Sequence, residues 1–213
     1  MTGTDERSAP DAHREDVETE TSANGLAPRP VRADAKRNLD GLLQAAMEVF
    51  AVSGVDAPVR EIASKAGVGV GTLYRHFPQR SDLIKAALRR EIDACADAAP
   101  VLSKAHAPAD ALKLWMQRFV DFLAAKRGLA DALHSGDPAY AALPQYFDQR
   151  LRPALDALLD AAITAGEIDP SVSGSDLIQA TARLTSGASA DTACQAKRMV
   201  GLLVDGMRYG ANG

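Results

Sequence analysis

Residues 67–77 read Gly-Val-Gly-Val-Gly-Thr-Leu-Tyr-Arg-His-Phe, and the fold turns on how this stretch is parsed. At about 100° per residue, a helix from Val70 to His76 puts Leu73 and Phe77 on one side with Val70 beside them, while Gly71, Thr72, Tyr74 and Arg75 point the other way. That outward face is small, aromatic and basic. Small residues let a helix approach a nucleic-acid groove closely, and hydroxyl, phenol and guanidinium groups bond phosphate oxygens or base edges. The plain alternative is a solvated face on a short helix, which these residues alone do not exclude.

The flanking segments supply a frame. Residues 58–66 carry Ile62 and Ala63 inward with Arg60, Glu61 and Lys65 outward; Asp56 offers a cap and Pro58 is tolerated in a first turn. Between the two short helices, Gly67 permits a sharp reversal and Val68 fills the angle. Upstream, Leu39, Leu42, Leu43, Ala46, Met47, Val49 and Phe50 form a helical stripe over residues 33–53, stopped by Gly54. Downstream, Ser81 and Asp82 are placed to cap a fourth helix whose stripe is Leu83, Ile84, Ala87, Leu88 and Ile92.

Charge follows the same partition. Of the formal net charge of -4, residues 1–28 contribute 2 Arg against 7 Asp/Glu, residues 29–90 contribute 11 Lys/Arg against 6 acids, and residues 91–213 contribute 11 against 15. The basic block coincides with the helix-turn-helix pattern, as expected of a unit that neutralises phosphates. Residues 1–32 read as a disordered acidic tail, poor in large apolar side chains, ending in a basic arm from Pro28 to Arg32.

With 213 residues, 46% hydrophobic but only 5% aromatic, the chain reads as all-α, without strand patterns. No apolar run reaches the roughly 18 residues of a membrane span, so a soluble, cytoplasmic protein is expected. Cys95 and Cys194 stand apart from each other and from any metal-ligand spacing, and read as small hydrophobes in a reducing compartment, a redox switch being the alternative. No Ser/His/Asp order, paired histidines, phosphate loop or buried carboxylate pair points to catalysis, so no enzyme activity, cofactor or metal is expected.

The chain over residues 37–83 resembles the N-terminal DNA-binding domain of the TetR family of transcriptional regulators. The matching residues are Leu42-Leu43, Ala45-Ala46 and Phe50-x-x-x-Gly54, then Ile62-Ala63-x-x-Ala66-Gly67-Val68, then Gly71-Thr72-Leu73-Tyr74-x-His76-Phe77, then Arg80-x-x-Leu83. Two positions depart: Gly69 stands where a hydroxyl usually caps the third helix, and Ala57-Pro58 where Thr or Ser usually opens the second. The resemblance implies that Arg60, Thr72, Tyr74, His76 and Arg80 bond the phosphate backbone and that Val70, Gly71 and Arg75 approach base edges, with residues 33–80 forming this domain. It further implies that residues 81–213 form a helical domain for effector binding and dimerisation. That part resembles, less specifically, the SbtR-like branch.

In that domain a helix from Pro108 presents Leu112, Trp115, Met116, Phe119, Phe122 and Leu123, a short piece spans residues 129–134, and a longer helix spans 140–165. Two terminal helices carry the stripes Leu177, Ile178, Thr181, Leu184 and Ala196, Met199, Val200, Leu203, Met207. These stripes fit a core. The resemblance assigns Leu177, Thr181, Leu184, Ala196, Met199, Val200, Leu203 and Met207 to a homodimer interface, and places Trp115, Met116, Phe119, Phe122, His134, Tyr140, Tyr146 and Phe147 around a small, mainly apolar effector. The function so implied is a repressor that binds a pseudo-palindromic DNA operator as a dimer and is released by that effector. An activator or effector-independent regulator is the alternative, and an enzyme or interaction module a more distant one.

Overall fold

Leu42, Leu43, Ala46, Met47, Val49 and Phe50 are all buried, and they make one side of the first helix, α1 (Arg29–Ser53), in the computed structural model, which describes residues 29–185 and 190–210. The acidic tail up to residue 28 lies outside the described residues. The helical backbone begins at Arg29, four residues before the stripe predicts; Pro30 fits because the first turn requires no N–H from it. Gly54, at φ 72°, ends α1 by donating to the Phe50 carbonyl at 3.0 Å.

Two short helices follow, α2 (Val59–Lys65) and α3 (Val70–His76). Between them, Gly67 adopts φ 68°, its N–H reaches the Ser64 carbonyl at 3.1 Å, and the Val68 N–H reaches the Ala63 carbonyl at 2.9 Å. This pairing satisfies the last carbonyls of α2 and needs a left-handed residue, which explains the glycine. The cap of α2 is Pro58 rather than Asp56, and that of α3 is Gly69, neither with a side-chain hydrogen bond. Leu73 and Phe77 are buried and anchor α3 against the rest.

The long α4 (Arg80–Ala105) leaves this head and enters the body of the molecule. Gln79, not Ser81 or Asp82, is its N-cap, and its buried stripe continues beyond Ile92 through Cys95, Ala96 and Ala99. It packs on α1, on α5 (Pro108–Lys126) and on α7 (Leu143–Thr164). A 3-10 turn at residues 127–129 runs into α6 (Ala130–Leu133). Another, at 138–140 and capped by the Asp137 carboxylate, precedes α7, which therefore starts at Leu143 rather than Tyr140. Then come α8 (Gly174–Thr185) and α9 (Ala190–Gly210). The described residues are helix and turn throughout, an all-α fold of a three-helix head and a larger helical body.

Ion pairs fasten α9 to α5: Lys113 to Asp205 at 2.7 Å, Lys197 to Asp121 at 2.6 Å and Arg208 to Asp110 at 2.6 Å. They flank the inward side of α9, which Ala196, Val200 and Val204 occupy. The start of α5 is tied down by Glu167, whose carboxylate accepts from the Ala109 N–H at 2.9 Å, an acid at a helix N-terminus.

Candidate nucleic-acid interface and ligand cavity

On α3, burial divides the side chains as the periodicity predicts except at Val70, which lies open in the first turn rather than inward with Leu73 and Phe77. Leu73 is 1% exposed, while Tyr74 is 51% and Val70 39% exposed, and Gly71, Thr72, Arg75 and His76 are also open to solvent. Gly71 has no atom outside its own helix within 4 Å of where a Cβ would lie, so its face of the helix is free for a close approach. Arg60, on α2, is exposed beside this surface. Arg80 is different. Its Nη1 donates to the Val55 carbonyl, which ties the start of α4 to the loop between α1 and α2. Around the head, Lys65 pairs with Glu48 at 3.0 Å, and Ser53 Oγ donates to Glu61 at 3.3 Å, fixing α2 against α1.

Beneath the head, α4, α5, α6 and α7 enclose a cavity of about 420 Å³. Leu88 and Ile92 come from α4, Phe122 and Lys126 from α5, Leu133 and His134 from the end of α6, Tyr140 from the 3-10 turn, and Leu143, Pro144, Phe147 and Asp148 from α7. Of the expected pocket residues, Phe122, His134, Tyr140 and Phe147 therefore line it. Trp115, Met116 and Phe119 do not; they are completely buried below its floor. Trp115 stacks on Phe119 with centroids 5.7 Å apart and donates its Nε1 hydrogen to the Cys95 carbonyl at 2.9 Å. An indole so bonded and packed belongs to the core. Tyr146 is also turned away: its hydroxyl donates to the Asp93 carboxylate at 2.7 Å, Arg150 shares that carboxylate at 2.7 Å, and Arg89 lies over its ring. Burial, then the Asp93 bond, raise the Tyr146 pKa.

Among the lining residues that the sequence reading did not single out, Lys126 is the one that carries a basic side chain. Its sequence signal, a basic residue three positions beyond Leu123 at the end of the apolar stripe, reads by itself as a helix C-terminus. His134 is held in place by Nδ1, which donates to the Ala130 carbonyl at 2.7 Å and leaves Nε2 outward.

One further contact joins cavity and head. Gly128, two residues beyond Lys126, lies so close to α1 that a Cβ on it would fall 2.1 Å from the Phe50 carbonyl oxygen and 2.7 Å from Ala51 Cα. The wall of the cavity and the end of the first head helix are thus in direct backbone contact.

The two terminal helices do not present the whole expected stripe. Leu177, Thr181, Ala196 and Val200 are buried inside this chain, against its own α5 and neighbouring helices, and are not available to another copy. The stripes are wide because each helix faces the body on one flank and solvent on another. What remains outside is Met199, 44% exposed, and Leu202, 65% exposed, which flank a shallow groove with Ala180, Arg183, Leu184 and Leu203; Met207 is half-buried. Among the described residues no cluster of His, Cys, Asp and Glu is arranged to hold a metal ion, and no helix is long and apolar enough to cross a membrane.

A helix-turn-helix head with an exposed, partly basic reading helix, set on a helical body with a partly open cavity, defines a DNA-binding transcriptional regulator. The family model for bacterial regulatory proteins of the tetR family matches residues 42–87, and that for the transcriptional regulator SbtR-like C-terminal domain matches residues 107–209. A solved TetR transcriptional regulator from Streptomyces coelicolor is 42% identical, with a TM-score of 0.71 over 79% of this chain and 97% of that one. A TetR regulatory protein from Mycobacterium vanbaalenii is 36% identical, with a TM-score of 0.68 over 84% of this chain and 99% of its own. An HTH-type transcriptional regulator of Staphylococcus aureus is 39% identical over 64 residues, 30% of this chain, and the match spans 35% of that relative's length. The chain belongs to the TetR family, with an SbtR-like C-terminal part.

Proposed function

We propose that two copies of this chain bind a pseudo-palindromic operator and repress transcription, and that a small molecule in the α4–α7 cavity releases them. In this reading Arg60, Thr72, Tyr74 and His76 engage phosphates, while Val70, Gly71 and Arg75 meet base edges. Arg80, its guanidinium already bonded to the Val55 carbonyl, positions the head. The groove flanked by Met199 and Leu202 supplies the contact between copies, which would set two reading helices about one DNA turn, roughly 34 Å, apart. The protein then works in the cytoplasm, where a bacterial operator lies.

The observation that carries the switch is the backbone contact of Gly128 with Phe50. A ligand that moves the 127–129 turn must move the end of α1, because close-packed backbones do not yield independently. Occupancy and operator binding are then reciprocally coupled, by an amount typical of such systems, ~1–3 kcal/mol.

Selection of bound DNA from a random pool, followed by titration of the selected operator with light scattering, tests the reading. A palindromic site bound by two chains, and derepression of a reporter on deletion of the gene, are expected. Binding of a single chain to an asymmetric site would refute the paired arrangement, and lowered reporter activity on deletion would make the protein an activator. An operator affinity unchanged by every ligand that fills the cavity would refute the release.

A further inference from the structure

Four lysines elsewhere on this fold are matched with acids: Lys65 with Glu48 and Lys85 with Asp82 at 3.0 Å, Lys113 with Asp205 at 2.7 Å and Lys197 with Asp121 at 2.6 Å. Lys126, half-buried in the cavity wall, has no carboxylate at ion-pair distance among the described residues. The acids around it are engaged. Asp148 holds Arg152 at 2.8 Å, Asp93 holds Tyr146 and Arg150, and Asp137 accepts from the Ala139 N–H at 2.8 Å. What Lys126 has is the face of Phe147, with Nζ 5.9 Å from the ring centroid, at the outer limit of a cation–π contact. Burial alone pulls its pKa below the ordinary lysine value. A desolvated ammonium in an apolar wall is unfavourable until an anion meets it.

We propose that Lys126 selects the effector, and that the effector is an apolar molecule carrying one anionic oxygen group, a carboxylate or its equivalent. The inference rests on the cavity being the effector site. The apolar body lies against Ile92, Phe122, Leu143 and Phe147, and the anionic head on Lys126 Nζ. His134 lines the same cavity. A cationic amine of the same shape is rejected, because it would bring a second positive charge beside Lys126.

Two dyes that share one aryl skeleton, anilinonaphthalene sulfonate and the neutral N-phenylnaphthylamine, separate head from body. Both are titrated by fluorescence into the intact protein, into Lys126→Met, which keeps the apolar stem, and into Pro144→Trp, which crowds the rim at an exposed position. The sulfonate should bind about tenfold more tightly than the neutral dye, a difference of ~1.4 kcal/mol. Lys126→Met should level the two without weakening the neutral dye, Lys126→Arg should restore the difference, and Pro144→Trp should weaken both. Equal affinities in the parent protein, no binding of the sulfonate, or a preference that survives Lys126→Met would overturn the anionic class while leaving the cavity in place. If Pro144→Trp changed neither dye, the effector-site reading would fall and this inference with it.

Discussion

Replacing Gly128 by alanine isolates the junction between head and body with a single methyl group. The added Cβ would lie 2.1 Å from the Phe50 oxygen, 2.5 Å from its carbonyl carbon and 2.7 Å from Ala51 Cα. All three are backbone atoms of α1, so no side chain can rotate aside, and the two segments must part by on the order of 1 Å to recover ordinary van der Waals separation. Forced expansion of a packed contact costs ~1–3 kcal/mol. For a chain of this length, 2 kcal/mol lowers the thermal midpoint by about 4–8 °C. Circular dichroism melts of Gly128→Ala beside Gly41→Ala make the comparison. Gly41 lies on the exposed side of α1 with nothing within 4 Å of its Cβ position, so alanine there should raise stability by about 0.5–1 kcal/mol through helix propensity alone. The displaced head should also weaken operator binding in Gly128→Ala and not in Gly41→Ala. A Gly128→Ala midpoint equal to that of the parent protein would show that the contact is not tight and would remove the proposed path from cavity to head.

Three other results are expected. Tyr74→Ala and Arg75→Ala should each weaken operator binding roughly tenfold or more by gel shift, with melting within the ±0.5 kcal/mol usual for exposed sites; unchanged binding would exclude α3 as the reading helix. Met199→Asp with Leu202→Asp should give a single-chain mass by light scattering, whereas a mass of two chains would place the contact between copies elsewhere. Burial pushes the Cys95 thiol up to about 12, so the fold favours its neutral form; its contribution is intact below the ordinary thiol value near 9 and is lost as pH rises from there toward 12. Between about pH 8 and pH 10.5 the thermal midpoint should therefore fall less steeply in Cys95→Ala than in the parent, and a thiol reagent should label exposed Cys194 in the native protein and Cys95 only after unfolding.

The head was legible in the sequence because its determinants are local. Leu73 and Phe77 repeat at helical spacing, Gly67 marks a left-handed turn, and the face left over is the one that Tyr74 and Arg75 occupy. Caps were less legible: Asp56 and Ser81 have suitable side chains, yet Pro58 and Gln79 hold the cap positions, because the loops are set by tertiary contacts such as Arg80 on Val55. The cavity was legible only in part. Phe119 and Phe122 follow one another on the same stripe, and whether such an aromatic lies under the floor or in the wall depends on how closely α7 approaches α5, which no periodicity encodes. The terminal stripes hide a similar choice, since Val200 and Met199 are neighbours in sequence, yet Val200 is buried and Met199 is exposed.

The Gly128 contact also sets a limit on exchanging parts between such regulators. In sequence, the head and the body are joined through α4 alone, and a chimera cut near residue 80 looks straightforward. In space there is a second joint, where the 127–129 turn rests on backbone atoms of residues 50 and 51. A transplanted head whose first helix ended one residue earlier or later would offer a different surface to that turn. On the proposed coupling, it would fold and still read DNA yet no longer respond to the cavity, so a transferable head has to be defined by the fit at Phe50 as well as by the sequence of α3.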